Sequence, residues 1–236
     1  MRLDKMLANL KYASRKNIKK LAKDGLITVN GKTIKDVSMH INPAEDTIMI
    51  GNEEVVYYAS LTLMMNKRKG VVSARHDDLN PTVMEDLDPV YQRHDLHIAG
   101  RLDKDTQGLL ILTTDGTLLH RIISPHKDVY KYYEVILDAP VDDITPLERV
   151  MHIKDGNDEI FETAPGVVEY HEGKHIILGI KEGKFHQVKR MMEAIGRSVV
   201  HLRRIRIHCL KLDETLAPGE VRVLSGEEID ALTPGQ

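Results

Sequence analysis

The chain has 236 residues, a formal net charge of −3 and a single cysteine. One cysteine excludes an internal disulfide, and no apolar run approaches the roughly 20 residues that a membrane-spanning helix needs. The N-terminus also lacks the apolar segment of a secretory signal. We therefore expect a cytoplasmic protein of one or two domains that makes no membrane contact.

Positive charge is concentrated in two segments of the chain. Residues 1–40 contain ten Lys and Arg against three Asp, and residues 181–206 contain eight Lys and Arg against two Glu. Because the chain as a whole is slightly acidic, these segments indicate localised surfaces for a polyanion such as a nucleic acid. The alternative stays open that both are ordinary solvated helix faces.

The first forty residues predict two helices followed by a hairpin. Apolar residues at positions 3, 6, 7 and 10 have the spacing of a short amphipathic helix. Ser14 is suited to be the N-cap of a second helix, which ends before Gly25. Asn30 and Gly31 join two short apolar runs in a pattern typical of a hairpin turn. The second helix contains five of the ten basic side chains of this segment.

The sequence predicts two domains joined by a linker. We expect a small domain over residues 1–50, a linker over residues 51–60, where the chain is acidic and has no Lys or Arg, and a second domain over residues 61–236. Short β-rich runs recur in the second domain at residues 61–65, 71–73, 109–113, 132–137, 167–170 and 175–180. Helices are expected near residues 117–123, 146–151 and 186–194. This irregular mixture favours an α+β domain on a mostly antiparallel mixed sheet flanked by helices and loops.

Residues 99–110, AGRLDKDTQGLL, contain a candidate reactive carboxylate. Asp103 stands between Arg101 and Lys104, and a carboxylate among cations stays ionised, as a nucleophile or base requires. The same residue types are also common in solvated turns. Alternatively, Asp103 and Asp105 form a carboxylate pair for glycoside hydrolysis, although residues two apart in an extended turn point in different directions.

Metal and nucleotide cofactors are not predicted. His76, His94 and His97 are the nearest approach to a zinc site, but no second cluster has ligand spacing and the chain has one cysteine. No Walker loop or dinucleotide-binding fingerprint occurs. The sequence therefore favours chemistry carried out by side chains alone.

Two further blocks are candidates for substrate contacts. In a strand, Lys131 and Tyr133 share one face, which would offer a cation and a stacking ring to a nucleobase, or they are ordinary sheet residues. Residues 182–196, EGKFHQVKRMMEAIG, predict a helix with Lys189 and Arg190 near its start. Such side chains suit phosphate, and Lys189 is alternatively a partner for a carboxylate.

Taken together, these blocks resemble the RsuA family of pseudouridine synthases, which isomerise a uridine in ribosomal RNA. Residues 1–50 look like the RNA-binding domain of ribosomal protein S4. The blocks that resemble the catalytic part are MNKRKGVVSA at 65–74, GRLDKDTQGLL at 100–110, KYYEV at 131–135 and GKFHQVKRM at 183–191. Two departures from the family pattern occur: Arg68 replaces a usual proline, and His208 and Cys209 stand where small residues are usual.

The resemblance implies roles for individual residues. Asp103 would be the catalytic aspartate, Tyr133 would stack on the target base and Lys189 would form an ion pair with Asp103. The residues expected to contact RNA, or in part to steady the loop, are Arg101, Lys131, Arg190 and, on the second N-terminal helix, Arg15, Lys16, Lys19 and Lys20.

The resemblance also implies a substrate. The run LLHRIISPHK at 118–127 favours enzymes of small-subunit (16S) ribosomal RNA over the large-subunit branch. We expect a monomer that needs no cofactor or metal and acts on this RNA or on an assembly intermediate of the small subunit. The alternatives are a large-subunit enzyme, a non-catalytic RNA-binding or ribosome-assembly factor, and a hydrolase using Asp103 with Asp105.

Overall fold

A computed structural model describes residues 1–124, 127–154, 157 and 159–234. Pro125 and His126, from the run that favours a small-subunit substrate, lie outside the described residues. The chain divides into two compact units, one formed by Met1–Leu61 with Asp88–Asp95 and the other by Thr62–Leu87 with Leu96–Gln236. Among the described residues, no helix has the length and hydropathy needed to cross a bilayer.

The N-terminal unit contains the predicted two helices and hairpin. Its elements are α1 (Leu3–Asn9), α2 (Arg15–Lys23), α3 (Pro89–Gln92), β1 (Ile27–Val29), β2 (Lys32–Thr33), β3 (Ile48–Ile50) and β4 (Glu53–Glu54), with the strands in the order β2-β1-β3-β4. Ser14 caps α2, since its side chain accepts a hydrogen bond from the backbone N–H of Asn17 at 3.3 Å. Ile18 and Ala22 of α2 are fully buried, whereas its basic residues are exposed.

The ordered part of this unit extends beyond the predicted boundary at Ile50. Strand β4 pairs with β3, and Val55 is 7% exposed in the apolar core, so the predicted linker contains both a strand and a core residue. The Arg93 guanidinium lies 3.9 Å from the centroid of the Tyr12 ring and 3.0 Å from Glu53 Oε1. No local sequence pattern predicts these contacts, because Arg93 is far along the chain from both Tyr12 and Glu53.

The second unit is built on one large mixed sheet. Its strands are β5 (Thr62–Lys67), β6 (His97–Ala99), β7 (Gln107–Thr113), β8 (Lys131–Leu137), β9 (His152–Lys154), β10 (Ile160–Glu162), β11 (Val167–Glu172), β12 (His175–Ile180), β13 (Val199–Ile207), β14 (Leu210–Lys211) and β15 (Val221–Val223). The helices are α4 (Gly116–Ile123), α5 (Gln187–Ala194) and α6 (Gly226–Asp230). The predicted α+β class is confirmed.

The strand order of the large sheet is β11-β12-β8-β13-β7-β5-β15, with β14 beside β13 and β6 beside β7, while β9 and β10 pair separately. Among the described strands, the paired neighbours of this sheet are antiparallel except β7 and β13, which are parallel. The alternating burial of β8 places Lys131 and Tyr133 on one face, as predicted. The sheet thus brings segments from distant parts of the chain together around its centre.

Two local predictions were wrong. The helix expected over residues 146–151 is a short 3-10 helix at Thr145–Glu148, because the backbone is already extended at Arg149. Residues 71–73 form no strand and contribute one isolated bridge from Val72 to Thr82. Apolar runs this short do not determine their structure without tertiary partners.

Gly108 allows the parallel neighbours β7 and β13 to approach closely. Its φ is +102°, and a Cβ atom at this position would lie 2.2 Å from the carbonyl oxygen of Arg204. Glycine is required here for both its backbone conformation and its missing side chain. The contact aligns the start of β7, just after the Asp103 loop, with β13.

We predict that Gly108→Ala lowers the free energy of unfolding by about 3 kcal/mol or more, because strain at positive φ and overpacking act together. The matched control is Gly116→Ala at the start of α4, where φ is not positive and no atom lies within 4 Å of the new Cβ. The control should change stability by less than about 1 kcal/mol. Urea unfolding curves measure both changes, and similar midpoints for the two variants would contradict the prediction.

Candidate active site

A cleft of about 170 Å³ opens on one face of the large sheet. Its lining comes from the loop before β7, the end of α4, strand β8, the segment from the end of β12 to the start of α5, and strand β13. Predicted site residues Arg101, Asp103, Lys131 and Tyr133 are among the lining residues. The sheet therefore brings together blocks that are widely separated in sequence.

Asp103 has its charge partner on α5. Lys189 Nζ lies 3.1 Å from Asp103 Oδ2 and 2.7 Å from Asp105 Oδ1, so one ammonium bridges both carboxylates. The ion pair that the resemblance implies is present. Lys104, the neighbour expected to flank Asp103, instead donates from Nζ to Asn80 Oδ1 at 2.6 Å.

The bridge shifts the pKa values of Lys189 and Asp105 in opposite directions. Burial by itself lowers the pKa of Lys189, but its hydrogen bonds to Asp105 and Asp103 outweigh burial, and the net pKa is raised. Burial likewise raises the pKa of Asp105, but the hydrogen bond and the charge of Lys189, together with a backbone hydrogen bond and the charge of His186, outweigh burial, and the net pKa is lowered. Both shifts favour the charged forms that make the bridge.

Lys67, at the end of β5, holds the backbone of the Asp103 loop. Its side chain is fully buried, and Nζ donates to the carbonyl oxygens of Asp103 at 2.9 Å, Thr106 at 2.8 Å and Arg68 at 3.2 Å. Burial lowers the pKa of Lys67 to about 8, against the attraction of nearby carboxylates. All three donors of the ammonium are used on backbone carbonyls, two of which belong to the loop.

Arg204, on β13, connects the loop to the strand that carries Tyr133. It is 2% exposed, and it donates from Nε to the carbonyl of Leu109 at 2.8 Å and from Nη2 to the carbonyl of Gly100 at 2.9 Å. Its Nη1 lies 3.5 Å from the hydroxyl of Tyr133, which is 6% exposed. The tyrosine ring is therefore held against the wall of the cleft.

The turn before α5 is also fixed by side-chain hydrogen bonds. Gln187 is 2% exposed, and its Oε1 accepts from the backbone N–H groups of Gly183 and Lys184, both at 3.0 Å. His186 has a left-handed backbone, with φ of 52°, and its Nε2 lies 3.6 Å from Asp103 Oδ2. Left-handed non-glycine residues are uncommon and cluster at functional sites.

Comparison with known proteins shows the family to which the chain belongs. The chain matches the RNA pseudouridylate synthase family over residues 61–194 and the S4 domain over residues 1–48. It is 44% identical to an uncharacterised RNA pseudouridine synthase of Bacillus subtilis, over the whole of both chains. It is 40% identical to ribosomal small subunit pseudouridine synthase A of Salmonella typhimurium, covering 97% of this chain and 98% of that protein.

A solved structure gives the same result. The crystal structure of a pseudouridylate synthase matches with a TM-score of 0.69 and 35% sequence identity, covering 99% of this chain and all of that one. The chain belongs to the RNA pseudouridylate synthase family. The family predicted from the sequence blocks is confirmed, and the protein is an RNA pseudouridine synthase with an N-terminal S4 domain.

The residues predicted to contact RNA differ in their surroundings. In the synthase, Arg101 is exposed at the cleft, and Nη1 of Arg190 donates to the carbonyl of Lys154. Lys131 is 4% exposed and donates to the carbonyl of Lys181 at 3.1 Å, and burial lowers its pKa to about 8. Lys131 therefore lines the cleft beside Tyr133 instead of presenting a surface cation to phosphate. The predicted residues of α2, all exposed, are Arg15, Lys16, Lys19 and Lys20.

Sequence reasoning missed three buried polar residues around the cleft. Lys67 lies in the NKRKG run, Arg204 was counted only as one charge of the second basic segment, and Gln187 is two residues before Lys189. From sequence alone, a lysine or arginine is expected to be exposed. Whether its side chain can be buried depends on which backbone carbonyls the fold places around it. Among the described residues, no group of three or more His, Cys, Asp or Glu side chains is placed to hold a metal ion.

We predict that Lys67→Met lowers kcat for pseudouridine formation by about 100-fold, because small displacements of a reacting group have effects of this size. Methionine keeps the apolar stem but cannot bind the carbonyls of Asp103 and Thr106. The matched control is Lys69→Met, since Lys69 is exposed two residues further on. Tritium release from [5-³H]uridine RNA at saturating RNA measures kcat, and equal kcat in the two variants would show that the loop does not need the buried ammonium.

Proposed function

We propose that this synthase converts one uridine of small-subunit (16S) ribosomal RNA into pseudouridine. Near full-length relatives that are 40% and 39% identical are named ribosomal small subunit pseudouridine synthase A, in Salmonella typhimurium and Escherichia coli. The observation that carries the proposal for the chemistry is the Asp103 carboxylate, bound by Lys189 in a cleft that also contains the Tyr133 ring. Together these features supply an ionised group, its counter-charge and a surface for the base.

The reaction is an isomerisation within one nucleotide. The bond from the ribose C1′ to uracil N1 breaks, the base turns, and a bond from C1′ to C5 forms; C5 loses its proton and N1 gains one. Nothing is oxidised or transferred to another molecule, so the balanced reaction needs no co-reactant. The uridine has to leave the base stack to reach a protein group, and the detached base has to be retained.

We assign the steps to side chains that share the cleft. Asp103 attacks the nucleotide or removes a proton from it, and Lys189 keeps this carboxylate ionised and oriented. The Tyr133 ring stacks on the uracil and retains it during its rotation. Arg101 and Arg190 contact the RNA backbone near the loop.

The N-terminal unit supplies phosphate contacts in this proposal. Helix α2 presents a row of exposed Lys and Arg opposite its buried face, an arrangement suited to a sugar–phosphate backbone. The substrate is ribosomal RNA or a small-subunit assembly intermediate in the cytoplasm. In this proposal the protein acts as a monomer, with Asp103, Tyr133 and Lys189 supplied by the same chain.

We predict that Asp103→Asn lowers kcat by about 10⁴-fold or more, as loss of an essential reacting group does in other enzymes, while RNA affinity persists. The matched control is Asp105→Asn, which removes the other carboxylate on Lys189 and should retain measurable activity. Tritium release gives kcat, and fluorescence anisotropy gives the Kd for a 16S RNA fragment.

Four results would separate this proposal from its alternatives. Full turnover by folded Asp103→Asn protein would exclude Asp103 as the reacting group. Release of free uracil would indicate a hydrolase. Identical 16S pseudouridine maps from cells with and without the gene would contradict the small-subunit proposal, and a difference confined to 23S RNA would identify a large-subunit enzyme.

We predict that the combined substitutions Lys16→Gln, Lys19→Gln and Lys20→Gln weaken RNA binding and flatten its salt dependence. Removing each phosphate-binding cation should reduce the slope of log K against log salt by about 0.7 to 0.9. The control exchanges Lys32 and Lys35, exposed cations of the same unit, for Gln. Substitution is preferable to deleting residues 1–50, since deletion would separate β3 from β4. An unchanged slope would exclude α2 as a phosphate-binding helix.

A further inference from the structure

An exposed aromatic side chain lies beside the cleft. The chain has two phenylalanines, and Phe185, just before α5, is 54% exposed. Its ring stacks on the His186 ring with 3.8 Å between centroids and 17° between planes. The Arg190 guanidinium lies 5.5 Å from the Phe185 centroid. We call these three side chains, Phe185, His186 and Arg190, the aromatic ledge.

The backbone holds the ledge in place. His186 has a left-handed backbone conformation, and buried Gln187 binds the N–H groups of the preceding turn, so the backbone that carries the two rings is fixed by side-chain hydrogen bonds. Because His186 Nε2 is 3.6 Å from Asp103 Oδ2, the ledge begins at the reacting carboxylate and extends outward from it. The exposed Phe185 ring thus offers a stacking surface next to the reacting carboxylate.

Basic side chains lie next to the ledge. Among the described residues, a depression of about 510 Å³ is lined by His152, Lys154, His186, Lys189 and Arg190 and by one acidic residue, Glu193. Because Lys189 is paired with Asp103 and Asp105, Lys154 and Arg190 are the cations that we consider for a phosphate contact. Nη1 of Arg190 donates to the carbonyl of Lys154, which holds the guanidinium between the ring and the depression. Cations beside a stacking ring are the combination that single-stranded nucleic acid requires.

We propose that the aromatic ledge stacks the base of the nucleotide next to the target uridine, and that the adjoining depression receives its phosphate. This inference rests on the proposed function, since it requires an RNA strand with one uridine at Asp103. An extruded uridine leaves its neighbour without a stacking partner, and the Phe185 ring takes the place of that partner. The ledge thereby lowers the cost of extrusion and contributes to the choice of uridine.

The test combines protein variants with altered RNA. The RNA is a 16S fragment that the wild-type protein modifies, prepared intact or with an abasic residue on the 5′ or 3′ side of the target uridine. Phe185→Ala should raise KM for intact RNA about 10-fold, within the range for loss of one base stack, with a much smaller effect on kcat. Phe185→Tyr should restore KM, whereas Phe185→Leu, which has no ring, should not. Tyr170→Ala, which removes an exposed aromatic residue of β11, should leave both constants unchanged.

The decisive comparison is between Phe185→Ala and the abasic RNAs. With wild-type protein, RNA that lacks the stacked base should raise KM as much as Phe185→Ala does with intact RNA. Combining the variant with that abasic RNA should raise KM no further. Additive losses at both neighbouring positions, or full rescue by Phe185→Leu, would overturn the proposal.

Failure of the proposed function gives a different result. If the wild-type protein modifies a 23S fragment and no 16S fragment, the small-subunit proposal is contradicted, and the same comparison on the 23S fragment decides the role of the ledge. If it modifies neither, the Kd values of the alanine, leucine and tyrosine variants for single-stranded RNA decide it. Equal Kd values would then overturn the ledge as a stacking surface.

Discussion

The buried ammonium of Lys67 is the interaction on which the geometry of the active site depends. Removing a lysine side chain from water is costly, and burial lowers its pKa to about 8. That cost is offset because the carbonyls of Arg68, Asp103 and Thr106 all point at Nζ. Moving the loop would leave the ammonium without acceptors, so the backbone that carries Asp103 has one favourable arrangement.

Three cations around this loop have separate functions. Lys67 binds backbone carbonyls, Lys189 bridges the carboxylates of Asp103 and Asp105, and Arg204 binds the carbonyls on either side of the loop. Their positions depend on the central strands, because Lys67 ends β5 and Arg204 lies on β13. The close approach at Gly108 sets the distance between β7 and β13, and thus places Arg204 within reach of the loop. The packing of the central strands therefore determines the geometry of the site.

The features that could be predicted from the sequence are those that depend on local patterns or on the order of the motif blocks along the chain. The α2 cap at Ser14, the hairpin at Asn30 and Gly31, and the shared face of Lys131 and Tyr133 all follow from spacing and turn chemistry. The local reason for choosing Asp103 as a candidate was in part wrong, because Lys104, one of its two flanking cations, binds Asn80. The cation that binds Asp103 is Lys189 of α5, the partner that the resemblance implied.

What the sequence did not predict depends on long-range pairing. Whether Lys131 is a surface cation or a buried lining residue depends on the strands that pair with β8, β12 and β13, and on the Lys181 carbonyl that accepts from its Nζ. The attachment of Asp88–Asp95 to the N-terminal unit through Arg93 is likewise decided by partners far away in the chain. Such contacts leave no periodic pattern, because each involves a single side chain.

The second basic segment illustrates why a count of charges overstates an RNA-binding surface. Several of its cations are engaged within the protein, with these partners: Lys181 with Asp128, Lys189 with Asp103 and Asp105, Arg206 with Glu169, and Arg204 with backbone carbonyls. A charge already paired with a carboxylate releases few counterions when RNA binds, so it adds little to affinity. The exposed row on α2 has a different character, because its lysines lie opposite a buried apolar face and point into solvent. We infer that sequence-independent attraction comes mainly from the N-terminal unit, whereas the cations of the second unit position the reacting groups.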